Sequence, residues 1–283
     1  SRDADMYPHT RFSSPSRQAP SGGHSGLKAL AALSVALVAT AACGAAPGVA
    51  PSQAAGPAVT AAPLAAHAVP RYRAVEASYD GIGKVYLGRE IAHVMGWQGA
   101  AWLEREEREQ EERGSRLLKE LRLEPGMVVA DIGAGTGYYS RRIAPLVGPQ
   151  GRVHAVDVQP QMVAMLEEVA KRPGLGNVIP VLGAANDVRL PAASLDLAMM
   201  VDVYHELEFP YEVLESLVRA MKPGGRIVFV EYRAEDSFVP IKALHKMSEA
   251  QVKREAAVFP LEWERTARSL PWQHVVIFRR RAR

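Results

Sequence analysis

An apolar run that ends in an acid and passes into a loop of alternating glycines limits what this chain can fold into. Val128–Ala130 are the apolar, partly β-branched residues of a buried parallel strand, and Asp131 follows them. At Gly133, Gly135 and Gly137 the backbone can turn tightly and approach a ligand with no Cβ in the way. A helical segment follows and would point its free N–H groups into the loop. The pattern therefore predicts a strand–loop–helix unit that binds a nucleotide-like ligand.

The spacing of these glycines indicates which of two classes of nucleotide cofactor the loop binds. A dinucleotide site favours the pattern G-x-G-x-x-G, and here Tyr138 occupies the position of its third glycine. The observed D-x-G-x-G-x-G pattern resembles the first motif of the class I S-adenosylmethionine-dependent methyltransferases. In that family the loop holds the methionine part of S-adenosylmethionine, and the acid helps to bind its ammonium group. The resemblance therefore implies cofactor contacts from Asp131, Gly133, Ala134, Gly135, Gly137 and Tyr138.

A second short apolar run also ends in a carboxylate. Arg152–Asp157 is typical of a second strand, and Asp157 lies twenty residues after Gly137. A carboxylate at this strand end can accept hydrogen bonds from both ribose hydroxyls of a nucleotide. By itself such an acid is more typical of an ordinary turn. Because it follows the glycine motif, we expect Asp157 to bind the ribose, with Val158 beside it.

Polar residues also follow the next two predicted strands. Asn177–Leu182 predicts the third strand, and Asn186 then stands four positions before a Leu-Pro pair. In the family that the motif resembles, a polar residue at this position contacts the adenine amino group, and Asp187 adjoins it here. Leu195–Val201 predicts the fourth strand, which is followed by Asp202. Since parallel strands end at one edge of a sheet, we expect these side chains to share one cleft with the glycine loop.

The residues after the fourth strand are candidates for catalysis. The family resemblance places the transferred methyl group close to Tyr204 and His205. A histidine there could act as a general base, because its ordinary pKa of about 6.5 lies near neutrality. Glu206 could orient the ring or face solvent, and Tyr232 and Arg233 could complete the same wall. The alternative is structural: His205 caps the next helix and Tyr204 packs in the core.

Apolar strands alternate with helical segments over the rest of the chain, as in an α/β fold. The helices are predicted over 139–147, 160–171, 210–221 and 248–257. A Lys-Pro-Gly-Gly turn precedes a fifth strand, Ile227–Glu231, and this turn is also frequent in the family. The last two runs, Glu262–Leu270 and His274–Arg279, are close enough to form a hairpin, so the last strand should be antiparallel. We therefore predict a doubly wound, seven-stranded, mainly parallel sheet with an antiparallel last strand, in agreement with the class I methyltransferase sheet.

The sequence divides into a cofactor-binding domain over residues 121–283 and a helical cap over 71–120. Within the cap, Glu90–Trp97 and Ala101–Leu121 are predicted to be helical. In related enzymes the segment before the first strand often covers the active site. The cap residues that could reach a substrate are Tyr79, Tyr86 and Arg89. Met95, Trp97 and Trp102 could line a substrate pocket, but packing in the core is favoured for these three.

The first seventy residues have a different composition. Ala29–Ala42 is a run of small, mainly apolar residues after a basic start, and no Asp, Glu, Lys or Arg occurs between Ala29 and Pro70. Residues 1–43 resemble a bacterial lipoprotein signal, which implies a lipid anchor at Cys43 and a place in the cell envelope. Residues 44–70 predict an Ala/Pro-rich linker. The alternatives are ordinary signal cleavage, or an Ala-rich leader with an incidental cysteine on a cytoplasmic protein.

Composition excludes several other classes of function. The net charge of +3 is not gathered into a basic and aromatic stripe, so we expect no nucleic-acid partner. The histidines are scattered along the sequence, and there is a single cysteine. No spacing typical of metal ligands is present. The sequence thus predicts an S-adenosylmethionine-dependent methyltransferase that acts on a small molecule. Two alternatives remain: a dinucleotide-dependent oxidoreductase, and a non-catalytic cofactor-binding module of the envelope.

Overall fold

A computed structural model describes residues 71–282, which begin with a small antiparallel sheet. Its strands are β1 (Tyr72–Ala74), β2 (Gly81–Tyr86) and β3 (Arg89–Ala92), in the order β1-β2-β3. Leu87 and Gly88, between β2 and β3, both have positive φ, at 44° and 98°, as in the tight turn of a hairpin. This turn returns the chain along β2. The prediction of a helix from residue 90 is therefore wrong, because pairing with β2 takes the place of a local helix.

Three short helices complete the cap. They are α1 (Ala100–Leu103), α2 (Arg108–Glu112) and α3 (Gly114–Glu120). Arg113, at φ 56° and ψ 48°, ends α2 and begins α3, so the helix predicted over 101–121 is broken. The cap is thus a hairpin sheet followed by helices, and only its second half is helical.

The main sheet has seven strands in the order β6-β5-β4-β7-β8-β10-β9. They are β4 (Val128–Ile132), β5 (Arg152–Asp157), β6 (Val178–Leu182), β7 (Leu195–Val201), β8 (Met221–Tyr232), β9 (Leu261–Ala267) and β10 (Gln273–Arg280). The five strands from β6 to β8 are parallel, and β10 is antiparallel to both of its neighbours. The predicted sheet, including its antiparallel last strand, is confirmed.

Helices cover both faces of this sheet because its central strands are apolar on both sides. The helices are α4 (Ser140–Val147), α5 (Pro160–Ala170), α6 (Pro210–Ala220) and α7 (Glu249–Ala256). In β7, Leu197 and Met199 pack with residues of α3, α4 and α5, whereas Ala198 and Met200 pack with residues of α6 and α7. All four side chains are fully buried. This two-sided burial is typical of doubly wound sheets.

The predicted leader, the linker and Cys43 lie outside the described residues, and their assignment stays a prediction. Within residues 71–282, no helix is both long enough and apolar enough to cross a bilayer.

Candidate functional site

A cavity of about 500 Å³ lies at the carboxyl ends of the central strands. Strand-end residues form one part of its wall, including Gly133 after β4, Asp157 at the end of β5 and Asp202 after β7. Ile82 and Lys84 of β2 contribute from the cap. The cavity is therefore enclosed by both the sheet and the cap, at the edge where doubly wound folds bind their ligands.

The glycine loop has the backbone conformation that its sequence predicts. Gly133, Gly135 and Gly137 have φ values of 69°, 56° and 80°, a region that other residues rarely adopt. The N–H groups of Gly133 and Ala134 donate to the carbonyl of Val156 at 2.8 and 3.0 Å, which ties the loop to β5. Of these loop residues, Gly133 lines the cavity.

Gly135 lies against the cap instead of the open part of the cavity. A Cβ added there would lie 2.6 Å from Cδ1 of Leu103 in α1. Glu104, the next residue, accepts hydrogen bonds from the Thr136 hydroxyl at 2.5 Å and from Arg141 Nη1 at 2.8 Å. The cap therefore seals the second half of the glycine loop.

Asp157 is the best-placed of the predicted ligand residues. Its Oδ2 accepts from the Gly135 N–H at 2.9 Å, and its Oδ1 accepts from the Gln159 N–H at 2.9 Å. Burial raises the pKa of this carboxyl, against the opposing effect of these two N–H groups. Each oxygen retains a further lone pair, and the residue lines the cavity. A carboxylate held in this way can accept the hydroxyl groups of a ligand.

Asp131 is more deeply placed than its predicted role suggests. It is buried and does not line the cavity, and its Oδ2 accepts from the Ser140 hydroxyl at 2.6 Å. Burial raises its pKa to about 6, although the Ser140 hydrogen bond and the Arg108 guanidinium oppose the shift. The carboxyl is still ionised at neutral pH. Its contact with a cofactor ammonium group stays a prediction.

Two further residues of the glycine loop are buried against other parts of the protein. Tyr138 is buried between the guanidinium groups of Arg108 and Arg142, whose Cζ atoms lie 4.2 and 3.5 Å from the ring centroid. Ala134 is also buried, and neither residue is part of the cavity wall. The predicted cofactor contacts of Ala134, Gly135, Gly137 and Tyr138 are therefore not visible in the shape of the cavity.

The two candidates for adenine binding differ in position. Asp187 lines the cavity together with Val158, whereas the exposed Asn186 does not. Asp187 Oδ1 accepts from the Arg189 N–H at 2.6 Å, and its Oδ2 accepts from Arg219 at 3.1 Å. The geometry thus favours Asp187 over Asn186 as the polar residue that meets a ligand.

Asp202 combines an unusual backbone with a buried acid. Its φ is 54°, and its Oδ2 accepts from Gln273 Nε2 at 3.2 Å, while its Oδ1 is buried with no hydrogen-bond partner in the described chain. Burial raises the pKa of Asp202 well above its ordinary value, and the charges of Glu112 and Glu231 add to the shift. Strained backbone and a perturbed carboxyl at a cavity wall are features of ligand sites.

The structure does not support His205 as a general base. The ring is buried and outside the cavity wall, and its Nδ1 lies 2.6 Å from Glu231 Oε2. Burial opposes the charged ring, but the charge of Glu231 and hydrogen bonds to Glu206 and Glu231 outweigh it and raise the pKa to about 10. Surroundings that favour the charged ring make His205 a poor acceptor for a substrate proton. The sequence could not show this, because Glu231 is brought in by a different strand.

The neighbours of His205 have different roles. Tyr204 is fully buried and packs edge-on against Phe229 with the ring centroids 4.9 Å apart, in agreement with the structural alternative. Glu206 lines the cavity, and its Oε2 accepts from the Met95 N–H at 2.8 Å. Glu206 is therefore the member of this segment whose side chain reaches the cavity.

Most of the remaining candidates lie outside the cavity wall. Tyr79 is exposed and Tyr86 is buried, while Arg89 pairs with Glu255 at 2.5 Å. The residues that line the cavity and that sequence reasoning missed include Ile82, Lys84, His93 and Gln159. A reading of residues 81–86 as a strand would have found Ile82 and Lys84, because alternate residues of a strand share a face.

Of the other candidates, Met95 lines the cavity and Tyr232 and Arg233 do not. The Tyr232 hydroxyl donates to Glu112 at 3.1 Å, and Arg233 donates to the Leu270 carbonyl at 3.0 Å. These last two contacts hold the cap and the end of the sheet in place.

Comparison with known proteins identifies the class to which this site belongs. Residues 123–272, more than half of the chain, match the family model described as "Methyltransferase domain". The chain therefore belongs to this methyltransferase family, and the family predicted from the glycine motif is confirmed.

The curated relatives match less than half of this chain. The chain is 31% identical over 123 residues to the ubiquinone/menaquinone biosynthesis C-methyltransferase UbiE of Ectopseudomonas mendocina, a match that covers 41% of this chain and 48% of the relative. It is 33% identical over 116 residues to the protein-L-isoaspartate O-methyltransferase of Aeropyrum pernix, over 40% of this chain and 42% of the relative. The chain thus spans about half the length of the curated relatives that it matches.

Solved structures show the same fold. A SAM-dependent methyltransferase from Aquifex aeolicus aligns with a TM-score of 0.62 and 27% identity, over 65% of this chain and 98% of that one. The putative methyltransferase of Haloferax volcanii, solved with the Trm112 activator, aligns with a TM-score of 0.53 and 17% identity, over 66% and 97% of the two chains.

Proposed function

We propose that this protein is an S-adenosylmethionine-dependent methyltransferase whose acceptor is a small molecule with an apolar body. The observation that carries the proposal is Asp157, a cavity-lining carboxylate whose two oxygens are oriented by the N–H groups of Gly135 and Gln159. The D-x-G-x-G-x-G loop precedes it in the sequence and hydrogen-bonds to it in space. The family match and the Aquifex aeolicus structure support the same cofactor.

The residues of the cavity suit a nucleoside cofactor. Asp157 offers acceptors for ribose hydroxyls, Val158 and Val188 offer apolar surface for an adenine ring, and Asp187 adds a polar group. Gly133, at φ 69°, brings the backbone to the cavity wall with no side chain in the way. When bound, S-adenosylmethionine supplies a methyl group already activated by its positive sulfur. The work of the protein is then to orient the acceptor and to exclude water.

Other residues of the cavity lining indicate the kind of acceptor. Ile82, Met95, Leu207 and Val213 add apolar surface to it. Lys84 also lines the cavity, with its Nζ 3.5 Å from the centroid of the Phe209 ring. An apolar body that carries an acidic oxygen, such as a phenol or a carboxylate, is complementary to this surface. The relatives do not decide the acceptor, since their names cover both quinone biosynthesis and protein L-isoaspartate.

Calorimetry of the purified full-length chain tests the cofactor. We expect binding of S-adenosylmethionine and S-adenosylhomocysteine, and none of NAD. Asp157→Ala should weaken binding by about 1–3 kcal/mol, because ligand hydroxyls lose their acceptor inside a buried site. Asp236→Ala is the matched control, since that acid lies on a loop outside the cavity wall and should leave binding unchanged.

Release of S-adenosylhomocysteine tests the reaction. A panel of phenols and carboxylic acids with apolar bodies should contain acceptors, and Lys84→Met should raise their KM more than it lowers kcat. Tight NAD binding with no response to either methionine-derived ligand would overturn the proposal in favour of an oxidoreductase. Cofactor binding with no turnover on any acceptor would favour a non-catalytic binding module.

A further inference from the structure

Two histidines and a carboxylate meet beside the cavity, although they are far apart in the sequence. His205 Nε2 lies 3.3 Å from His245 Nδ1, and these residues are forty positions apart. Glu206 Oε1 lies 3.5 Å from His205 Nε2 and 3.9 Å from His245 Nδ1. One ligand atom from each residue thus points into a single small space.

These separations match those of a metal coordination shell. In a tetrahedral site with metal–ligand bonds of about 2.0–2.1 Å, neighbouring ligand atoms lie about 3.3 Å apart. The separation between the two histidine nitrogens, 3.3 Å, equals this value, and those from Glu206 Oε1, 3.5 and 3.9 Å, are longer, a difference that side-chain rotation of Glu206 can absorb. Two histidines and one carboxylate are also a recurrent ligand set for catalytic zinc and for non-haem iron, which keep a further position open.

The groups behind the three ligands are arranged to orient them. His205 Nδ1 lies 2.6 Å from Glu231 Oε2, the carboxylate–histidine arrangement that fixes the ring of a metal ligand. Glu231 is itself held, since its Oε1 accepts from the Tyr204 N–H at 3.0 Å. The Oε2 of Glu206 accepts from the Met95 N–H at 2.8 Å, which leaves Oε1 directed to the histidines.

The charges in this region also favour a cation. Glu206 and Glu231 bring two carboxylates to two imidazole rings, all with little exposure to solvent. The nearest guanidinium, that of Arg89, is paired with Glu255, and the Lys242 ammonium is paired with Asp80 at 2.9 Å. A divalent ion can therefore balance the charges of the two carboxylates.

We propose that His205, Glu206 and His245 bind one divalent transition-metal ion, of the class of Zn²⁺ or Fe²⁺, at the wall of the cavity. This inference does not depend on the cofactor or on the acceptor. Because Glu206 lines the cavity, an ion held there lies within reach of molecules that enter it. The sequence shows no metal-ligand spacing because His245 lies in the segment after β8, and only the fold brings it to His205 and Glu206.

Titration of the chelator-treated, full-length protein with Co²⁺ tests the site. We expect one equivalent of ion to bind with visible absorption bands of a low-coordinate nitrogen and oxygen environment. His245→Ala should lower the affinity more than about 100-fold, and Glu231→Gln by about 10- to 100-fold, as for a group that orients a metal ligand. Binding should strengthen with rising pH, because the ion competes with protons for the histidines.

His274→Ala is the matched control. Like His245, His274 is buried and has an Nε2 atom with no hydrogen-bond partner in the described chain, but it lies outside the cluster. This variant should bind Co²⁺ as the unaltered protein does. Histidines and the cysteine of residues 1–70 are present in every variant, so the difference between variants reports on the cluster alone.

Equal Co²⁺ affinity in the unaltered protein and in His245→Ala, or no binding to either, would overturn the proposal. A thermal melt of each variant separates loss of the site from loss of the fold, and Glu206→Gln provides a second, isosteric test with an expected loss of more than about 10-fold. Calorimetry with S-adenosylmethionine is a separate readout, so failure of the metal site and failure of the proposed function can be distinguished.

Discussion

The main sheet and the cap are two regions that enclose one cavity, and they are held by different kinds of contact. The strands of the sheet bury apolar side chains on both faces. In the cap, Leu117 of α3 joins this apolar core, whereas the contacts between the first half of the cap and the sheet domain include the charged pairs of Arg89 with Glu255 and Arg71 with Glu212. Within the cap, Arg105 and Arg108 both pair with the buried Glu112.

This difference determines what can be perturbed. Apolar burial is spread over many side chains, so a single change removes a fraction of it. A buried ion pair is concentrated in two residues, and loss of one partner leaves an uncompensated charge. We therefore expect the cap to be the more fragile of the two regions towards single substitutions of charged residues.

The largest expected effect is at the buried pair between cap and sheet domain. Arg89→Ala leaves Glu255, whose side chain is fully buried, without its guanidinium partner. The free energy of unfolding should fall by about 3–5 kcal/mol in a denaturant titration. Arg71→Ala is the matched control, because its pair with Glu212 is largely exposed, and it should cost at most about 1 kcal/mol. Equal losses in the two variants would contradict the distinction between buried and exposed contacts.

The next effect concerns the contact of the cap with the glycine loop. Gly135→Ala forces a side chain into positive φ and places its Cβ 2.6 Å from Leu103. Gly126→Ala has the same kind of strain at φ 89° but meets no atom within 4 Å. We expect Gly126→Ala to cost about 1–2 kcal/mol of unfolding free energy and Gly135→Ala about 1–3 kcal/mol more.

A second substitution separates strain from the clash. Adding Leu103→Ala to Gly135→Ala should remove the contact and leave the backbone strain. If that double variant showed no coupling between its two substitutions, the cap would not rest on the loop as described.

A smaller effect should appear as a dependence on pH. The folded-state pKa of Asp131, about 6, is higher than its ordinary value of 3.8, so the protonated acid favours the folded state. The corresponding stability is present below pH 3.8 and is lost as pH rises through 6. Between pH 4 and pH 7, the free energy of unfolding should therefore fall by about 1–3 kcal/mol less in Asp131→Asn than in the unaltered protein.

Denaturant titrations at several pH values measure this difference. Asp236→Asn is the control, because the hydrogen bond from the Phe238 N–H lowers the pKa of that exposed acid. It should not flatten the profile in this range. An unchanged pH profile in Asp131→Asn would show that burial does not perturb Asp131.

The smallest effect is expected at Asn186, which belongs to the sheet domain and lies outside the cavity wall. Asn186→Ala should change the free energy of S-adenosylmethionine binding by about 0.5 kcal/mol or less, as for other surface changes. Asp187→Ala should have the larger effect in the same calorimetric experiment. The reverse order would restore Asn186 as the adenine-binding residue.

The sheet could be predicted because its signals are local. Val128–Ile132 and Leu195–Val201 are apolar runs that end at a polar residue, and each can be recognised within a few positions. The glycine loop needs only its own sequence, since its positive φ values demand glycine. Asp157 could be placed at the cavity because it ends the local apolar run of β5.

The cap and the cluster beside the cavity depend on contacts that span the chain. Arg89 and Glu255 are 166 residues apart, and His205 meets His245 and Glu231 from two other segments. No local pattern reports such contacts. The partners of His205 could therefore not be derived from its local sequence, although its position after β7 could.

The antiparallel β10 also has a consequence for how the chain acquires its structure during synthesis. β10 leaves the ribosome after β8 and β9, yet it lies between them and pairs with both. Until it arrives, β8 presents an unpaired apolar edge and β9 has no partner, and such edges are prone to pair with other chains. Nascent molecules from which β10 has not yet emerged should therefore depend on chaperones more than those from which it has.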